Sequence, residues 1–236
     1  MNARKLVQLA EDFVGLVYPK LCVVCNGHLL KTEQGFCFSC EQELPRTFDE
    51  LNPTGNPASR VFWGRFPLEA AASCFVFTGK GKVQELVHNL KYNGRKDAGV
   101  AAGYYYGTIL KTISPFLTAD LILPVPLHED KLHVRGYNQA ACFAQGLSEG
   151  MNVPWSESIL LRLKATTSQT RKSREERWDN VGEVFAVSAK NKLERKHVII
   201  VDDVITTGAT IEACVLPLLE IPGVKISVIS LAAARD

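Results

Sequence analysis

Residues 198–211 place a run of apolar side chains directly before two carboxylates and a loop of small and hydroxyl side chains. Val198–Val201 has the length and composition of a buried strand, and Asp202 and Asp203 follow at its predicted end. Thr206–Thr210 then opens a predicted helix. An apolar strand without polar alternation is typical of a parallel sheet covered on both faces, and ligands of such sheets bind beyond the carboxyl ends of the strands. The segment therefore constrains both the fold class and the position of the binding site.

Strand-like and helix-like segments alternate from about residue 70 onward. The predicted strands are Ser73–Phe77, Leu121–Val125, Val184–Val187, His197–Val201 and Ile226–Leu231. One stripe with helical i, i+3, i+4, i+7 spacing consists of Val83, Leu86, Val87 and Leu90, and a second consists of Ala140, Phe143, Ala144 and Leu147. We therefore predict an α/β fold with a parallel sheet over residues 70–236, an N-terminal module over residues 1–50, and a proline-containing irregular connection over residues 51–69.

Composition and charge exclude several classes of protein. The 236 residues are 46% hydrophobic and 22% charged, which excludes a disordered or fibrous chain. The net charge of +2 excludes a uniformly basic nucleic-acid-binding surface, although local basic clusters are allowed. No apolar run approaches the roughly 18–20 residues of a membrane span, and Glu11 and Asp12 interrupt the N-terminal segment before a secretory signal can form. We expect a soluble, cytoplasmic protein without membrane insertion.

Four of the seven cysteines form two pairs, Cys22/Cys25 and Cys37/Cys40, with two residues inside each pair. This spacing lets both thiolates of a tight turn bind one metal, and two such turns supply the four sulfur ligands that Zn²⁺ prefers. The alternatives are disulfides, which need an oxidising compartment, and unliganded thiols. Zinc in so small a module is expected to be structural, because metal binding supplies folding free energy. The remaining cysteines lie in apolar contexts and are interpreted as core residues: Cys74, Cys142 and Cys214.

The loop that follows the predicted strand has the chemistry of an anion site. Thr206, Thr207 and Thr210 place hydroxyl donors beside the backbone N–H groups of a helix start. Gly208 would let a phosphate approach the main chain closely. The two carboxylates before the loop would repel a phosphate but would accept hydrogen bonds from sugar hydroxyls, so the combination favours a ribose phosphate. The alternative is an ordinary helix N-cap after a strand.

Residues 202–210 closely resemble the 5-phosphoribosyl-1-pyrophosphate (PRPP) motif of type I phosphoribosyltransferases. The resemblance implies the parallel-sheet fold of that family, with Asp202 and Asp203 as catalytic-site residues that bind the ribose 2′- and 3′-hydroxyls. It implies that the 5′-phosphate is bound by the loop residues Thr206, Thr207, Gly208, Ala209 and Thr210. It also implies that Mg²⁺ is bound together with PRPP.

Several other segments resemble the ComF family of competence-associated proteins. They are the two cysteine pairs, residues 90–95, residues 123–139 with Arg-Gly-Tyr-Asn-Gln at 135–139, and the spacing Gln169…Arg177 with Asn180. The resemblance covers nearly the whole chain and implies a zinc-ribbon module joined to a phosphoribosyltransferase domain. It further implies a role in competence and DNA uptake, or in the use of imported DNA, with single-stranded DNA and a DNA-uptake translocase as partners.

The same resemblance assigns candidate roles to three further regions. The segment after Val125 matches the pyrophosphate-binding loop, where Arg135 could neutralise the leaving pyrophosphate. Lys91 is interpreted either as a phosphate contact or as a cation at a helix C-terminus. Residues 165–178 match the flexible catalytic loop, with a solvated polar loop as the alternative. The candidate phosphate or nucleic-acid contacts in that loop are Arg171, Lys172, Arg174 and Arg177.

The residues and the resemblance leave two main classes of function open, and a PRPP-responsive regulator ranks below both because the sequence has no recognisable helix-turn-helix. One is an enzyme in which PRPP, bound with Mg²⁺, reacts at C1 with a nucleophile and releases pyrophosphate. The other is a non-catalytic protein that binds DNA or a protein partner and uses the ribose-phosphate site as a sensor.

Overall fold

The computed structural model describes residues 19–163 and 184–235. The α-helices of the described residues, α1 to α7, are Phe38–Glu43, Pro57–Arg60, Gly81–Tyr92, Lys96–Leu110, Glu129–Arg135, Gln139–Met151 and Ala209–Leu219. The strands, β1 to β6, are Ala70–Phe77, Leu121–Pro124, Leu160–Arg162, Phe185–Val187, His197–Ile205 and Lys225–Ala234. The basic residues Arg171, Lys172, Arg174 and Arg177 lie outside the described residues.

Four strands form a parallel sheet in the order β1-β6-β5-β2. Each of these strands contains one of the predicted apolar segments, which confirms the predicted α/β architecture. The segment predicted at residues 184–187 does not join this sheet. It forms β4, which pairs antiparallel with the three-residue strand β3 in a separate two-stranded sheet. A strand as short as β3 gives no periodic signal in the sequence.

The parallel sheet is buried on both faces. On one face, Ile199 and Val201 of β5 share an apolar core with α3, α4 and α6. On the other face, Val198 and Ile200 pack with α7 and with Phe62. This arrangement explains why β5 shows an apolar run without polar alternation, since both of its faces are covered.

Close packing between α4 and α6 depends on glycine. A Cβ atom on Gly103 would lie 2.2 Å from the carbonyl oxygen of Phe143, and one on Gly146 would lie 2.0 Å from that of Val100. The two backbones therefore approach more closely than side chains would permit. The 15-residue α4 is the longest of the described helices, and none of the described helices is both long and apolar enough to cross a membrane.

The cysteine-containing segment packs directly on the sheet domain. Val23, Val24 and Phe36 are buried in the same apolar core as α3 and α4. The ring of Phe36 makes edge contacts with the rings of Phe75 and Tyr105, at centroid distances of 6.4 and 5.9 Å. The N-terminal module and the sheet domain thus share one core, and their division into separate domains stays a proposal.

The segment 51–69 also contributes to the core. It contains α2, and the side chains of Phe62 and Phe66 are buried against the face of the sheet that α7 covers. The side chain of Asn56 accepts a hydrogen bond from the Ser59 N–H and so caps the start of α2. This packing places residues 57–66 beside the loop that follows β5.

Candidate functional site

Strand β5 continues past the two carboxylates rather than ending at them. Asp202 is paired in register with Ser230 of β6, and Ile205 with Ala233. Only residues 206–208 form the loop, because α7 already begins at Ala209. The 206–210 segment is therefore a short loop followed by the first two residues of a helix.

Asp203 forms an ion pair with Lys91. The Nζ atom of Lys91 lies 2.9 Å from Oδ2 of Asp203, and the two side chains are only 21% and 15% exposed. Lys91 is in the last turn of α3, which packs on one face of the sheet. The Asp202 carboxyl group lies close enough to Asp203 and Lys91 for both charges to act on it.

Asp202 ionises less readily than an ordinary aspartate. Burial and the neighbouring charge of Asp203 raise its pKa to about 7, although the Asp203 N–H and the Lys91 ammonium act in the opposite direction. That N–H donates to Oδ1 of Asp202 at 2.8 Å. Near neutral pH the protonated and ionised forms of Asp202 therefore coexist, and the group can donate a hydrogen bond to a hydroxyl or accept one from it.

The start of α7 leaves backbone N–H groups available to an anion. Glu212 is the first residue of α7 whose N–H bonds along the helix, to the Gly208 carbonyl at 2.9 Å, so the N–H groups of residues 209–211 make no such bond. The Ala209 N–H contacts Oγ1 of Thr207 at 3.5 Å, which leaves the N–H groups of residues 210 and 211 for an anion. The side chains of Thr206, Thr207 and Thr210 are exposed beside them. This geometry is that of an anion site at a helix N-terminus.

Gly208 is required by its backbone conformation and by its packing. Its φ of +74° is in the left-handed region. A Cβ atom at this position would lie 2.7 Å from Cε1 of Phe62 and 2.7 Å from Cγ1 of Val61. The absence of a side chain at Gly208 thus lets Val61 and Phe62 pack directly against the backbone of the loop.

Val125 follows β2 at the same edge of the sheet. Its N–H donates to the Val201 carbonyl at 2.8 Å, and its carbonyl accepts from Nδ2 of Asn138 at 3.0 Å. Arg135 donates to Oε1 of Gln139 at 2.7 Å, and its guanidinium lies 5.6 Å from the ring centroid of Tyr92. The end of α5 and the end of α3 are thereby brought together beside this edge.

The four paired cysteines form a separate cluster. Their sulfur atoms all lie within 4.8 Å of one another, and those of Cys25 and Cys37 are 3.8 Å apart. Tetrahedral sulfur ligands at about 2.3 Å from zinc are themselves about 3.8 Å apart, so the donor set fits this metal. The Cys37 N–H contacts the sulfur of Cys22 at 3.4 Å, and the Gly27 N–H contacts that of Cys25 at the same distance. Burial raises the pKa of Cys22, but neighbouring N–H groups outweigh it and the pKa falls to about 7.

Comparison with known proteins identifies the family. A family model described as "Phosphoribosyl transferase domain" matches residues 148–236, which include β5, the 206–210 segment and α7. Competence protein ComFC from Bacillus subtilis is 26% identical over 90% of this chain and 94% of its own. DNA utilization protein YhgH from Escherichia coli strain K12 is 30% identical over 83% of this chain and 89% of its own. The chain belongs to the ComF family.

Among solved structures, a glutamine PRPP amidotransferase from B. subtilis, complexed with ADP and GMP, aligns with 60% of this ComF-family chain and 30% of its own. The identity is 20% and the TM-score is 0.41.

The structure of this ComF-family chain brings most of the predicted site residues to one edge of the sheet. Asp202, Asp203 and the 206–210 segment follow β5, Val125 follows β2, and Lys91 reaches Asp203 from α3. The cysteine cluster is not part of this edge. It contacts α3 instead, where the side-chain amide of Asn89 donates to the carbonyls of Val23 and Val24 at 2.9 and 3.1 Å.

Two further residues near the site were not among the predicted site residues, although Tyr92 lies within the ComF-like segment 90–95. Arg65 donates from Nη1 to the Thr207 carbonyl at 2.9 Å and lies 3.2 Å from Oε2 of Glu212. Tyr92 is 67% exposed and contacts Arg135. Arg65 is 142 residues from Thr207 in the sequence, so no local motif could have indicated the contact.

Proposed function

We propose that this ComF-family protein binds PRPP, or another ribose 5-phosphate compound, at the carboxyl edge of β5. One observation carries the proposal: two carboxylates in the last part of β5 lie beside a helix N-terminus with available N–H groups and exposed threonines. The carboxylates suit sugar hydroxyls, and the helix start suits the phosphate. The names of the relatives, "Competence protein ComFC" and "DNA utilization protein YhgH", support a role in competence or in the use of imported DNA.

Each group at this edge has a role in the proposed reaction. Asp202 and Asp203 bind the ribose hydroxyls, and the 206–210 segment binds the 5′-phosphate. The backbone after Val125 and the Arg135 guanidinium neutralise the pyrophosphate that leaves C1. Mg²⁺ is expected to enter with the pyrophosphate of PRPP, and it would supply further charge neutralisation there. The protein contributes mainly by positioning the ligand, because a nucleophile must approach C1 in line with the leaving group.

The metal centre is proposed to be structural. Cys22, Cys25, Cys37 and Cys40 would bind one Zn²⁺ and stabilise the segment that packs on α3. We place the protein in the cytoplasm, because a reducing compartment keeps the four thiols available for the metal.

Ligand titration tests the proposal. Ribose 5-phosphate and PRPP with Mg²⁺ should bind the wild-type protein in calorimetry, whereas Asp202→Asn combined with Asp203→Asn should abolish binding without unfolding the domain. Deoxyribose 5-phosphate lacks the 2′-hydroxyl and should bind more weakly by about 1.5–3 kcal/mol. Equal affinity for the two sugars, or full binding by the double variant, would contradict the proposal. Pyrophosphate release, measured with and without single-stranded DNA, then separates an enzyme from a sensor.

A non-catalytic function in nucleic-acid binding is favoured by a different observation. Two exposed aromatic side chains near the site each have an arginine over the ring: Tyr92 with Arg135 at 5.6 Å, and Trp63 with Arg60 at 5.7 Å. Aromatic rings beside cations are typical of surfaces that bind single-stranded nucleic acid.

The candidate phosphate-binding groups for that function are four basic residues outside the described part of the chain: Arg171, Lys172, Arg174 and Arg177. Replacing them together by glutamine should weaken single-stranded DNA binding and lower the salt slope by about 0.7 for each phosphate that the protein no longer neutralises. An unchanged slope would place DNA binding at the exposed rings of Tyr92 and Trp63 or at the N-terminal module of residues 1–50.

A further inference from the structure

Asp202 and Asp203 lie beside the proposed phosphate site, and their negative charges would repel a phosphate unless a cation neutralises them. We propose that Lys91 is the built-in counter-cation of this site, taking the position at Asp203 that a divalent cation would otherwise need, so that ribose 5-phosphate binds without Mg²⁺. The inference rests on the proposed function and specifies the ionic requirement of the same site.

The geometry fixes this ammonium group in place. Its Nζ atom lies 2.9 Å from Oδ2 of Asp203, and both side chains are largely withdrawn from solvent. Such a pair is screened much less by salt than an exposed pair. The end of α3 that carries Lys91 is anchored by its neighbours, because Tyr137 donates its hydroxyl hydrogen to the Leu90 carbonyl and Asn89 donates to Val23 and Val24.

Lys91 is the cation placed to neutralise the charge of Asp203. Among the described residues, Lys91 is the only cation within ion-pair distance of either Asp202 or Asp203. The Arg135 side chain donates to Gln139, and Arg65 pairs with Glu212. With Asp203 neutralised by Lys91, the approaching phosphate meets at most the charge of Asp202, and the electrostatic repulsion falls accordingly.

The same geometry disfavours a resident divalent cation. A hard cation such as Mg²⁺ needs several oxygen ligands around it, and Oδ2 of Asp203 is already in contact with an ammonium group. Among the described residues, the group of three or more potential metal ligands is the cysteine cluster and not this carboxylate pair.

Calorimetry with ribose 5-phosphate tests the inference, because this ligand lacks the pyrophosphate that would itself bring Mg²⁺. Wild-type protein, Lys91→Met and Lys91→Arg are titrated in the presence of EDTA and again with millimolar Mg²⁺. Lys82→Met is the matched control, since Lys82 lies on the same helix and pairs with Glu85 at 3.6 Å. Thermal unfolding of each variant confirms that the fold is intact.

The wild type should bind equally with and without Mg²⁺, and so should the Lys82→Met and Lys91→Arg variants. Lys91→Met should bind about tenfold more weakly in EDTA, because the phosphate then meets an unpaired carboxylate, and Mg²⁺ should restore part of the affinity. Wild-type binding that requires Mg²⁺, or unchanged binding by Lys91→Met in EDTA, would overturn the inference while leaving the proposed function intact. Absence of ribose 5-phosphate binding by the wild type under both conditions would reject the proposed function, and the inference with it.

Discussion

Asp202 is the residue whose ionisation should be visible in the stability of the protein. Its pKa is raised from 3.8 to about 7 by burial and by the charge of Asp203. The folded state therefore retains a proton that the unfolded state has released, and stability should fall as the pH rises from about 4 to about 7. Asp202→Asn cannot ionise at this position, so it should melt at a higher temperature than the wild type at about pH 8.

The difference between Asp202→Asn and the wild type should shrink toward about pH 4. Asp120 provides a control of opposite sign, because the His197 N–H and the Lys196 ammonium lower its pKa. Asp120→Asn should therefore be less stable than the wild type near neutral pH, and that difference should disappear in acid. Thermal unfolding between about pH 4 and 8 measures the first effect, and measurements below about pH 4, where Asp120 becomes protonated, measure the second. If Asp202→Asn melts at or below the wild-type temperature at about pH 8, the raised pKa of Asp202 is contradicted.

At the scale of secondary-structure elements, the junction between β5 and α7 depends on Gly208. Gly208→Ala should destabilise the protein by about 1–2 kcal/mol through the positive φ alone, and by a further 1–3 kcal/mol, roughly, through the clash with Val61 and Phe62. It should also weaken ribose 5-phosphate binding, because relief of the clash shifts the start of α7. Chemical denaturation and calorimetry measure the two effects.

Gly79 is the matched control for this substitution. It has a φ of +72°, but a Cβ atom there would meet nothing within 4 Å. Gly79→Ala should therefore cost only the backbone strain of about 1–2 kcal/mol and leave ligand binding unchanged. Equal destabilisation by the two substitutions would mean that the packing of Phe62 against Gly208 contributes nothing.

The elements differ in how well the sequence predicts them. Strands β2, β5 and β6 are rich in apolar residues, so the sequence predicts their positions to within a few residues. Helix α4 is not predicted, because Gly99, Gly103 and Gly107 are poor helix formers, and the reason for them is the close approach of α6. The antiparallel pairing of β4 could not be predicted either, since its partner β3 has only three residues.

In the candidate site, residues that are contiguous in the sequence could be predicted, whereas contacts between distant residues could not. The Asp-Asp pair and the 206–210 segment are contiguous, and a resemblance could therefore indicate them. The partners that define their electrostatics and support come from distant parts of the chain, such as Lys91 for Asp203 and Phe62 for Gly208. Such contacts depend on tertiary packing, for which a single sequence contains no direct signal.

At the scale of the whole molecule, the cysteine module and the sheet domain share a core, so removal of the metal should affect both. Cys37→Ser should lower the zinc content from about one ion per chain and reduce the melting temperature of the entire protein. Cys142→Ser is the control, because Cys142 lies in α6 away from the cluster and should retain zinc. Elemental analysis and thermal unfolding measure these outcomes. Absence of zinc from wild-type protein prepared without chelators would contradict the metal assignment.

Helix α3 connects the cysteine-containing segment to Asp203, and this connection should be visible in the phenotypes of mutants. Asn89 contacts the backbone between the first two cysteines, and Lys91, two residues later, contacts Asp203. A substitution in the cysteine module that leaves the chain folded would still displace the end of this helix. In a screen of loss-of-function alleles, such substitutions should fall into the same phenotypic class as those at Asp203, and second-site suppressors of either group should map to residues 89–91.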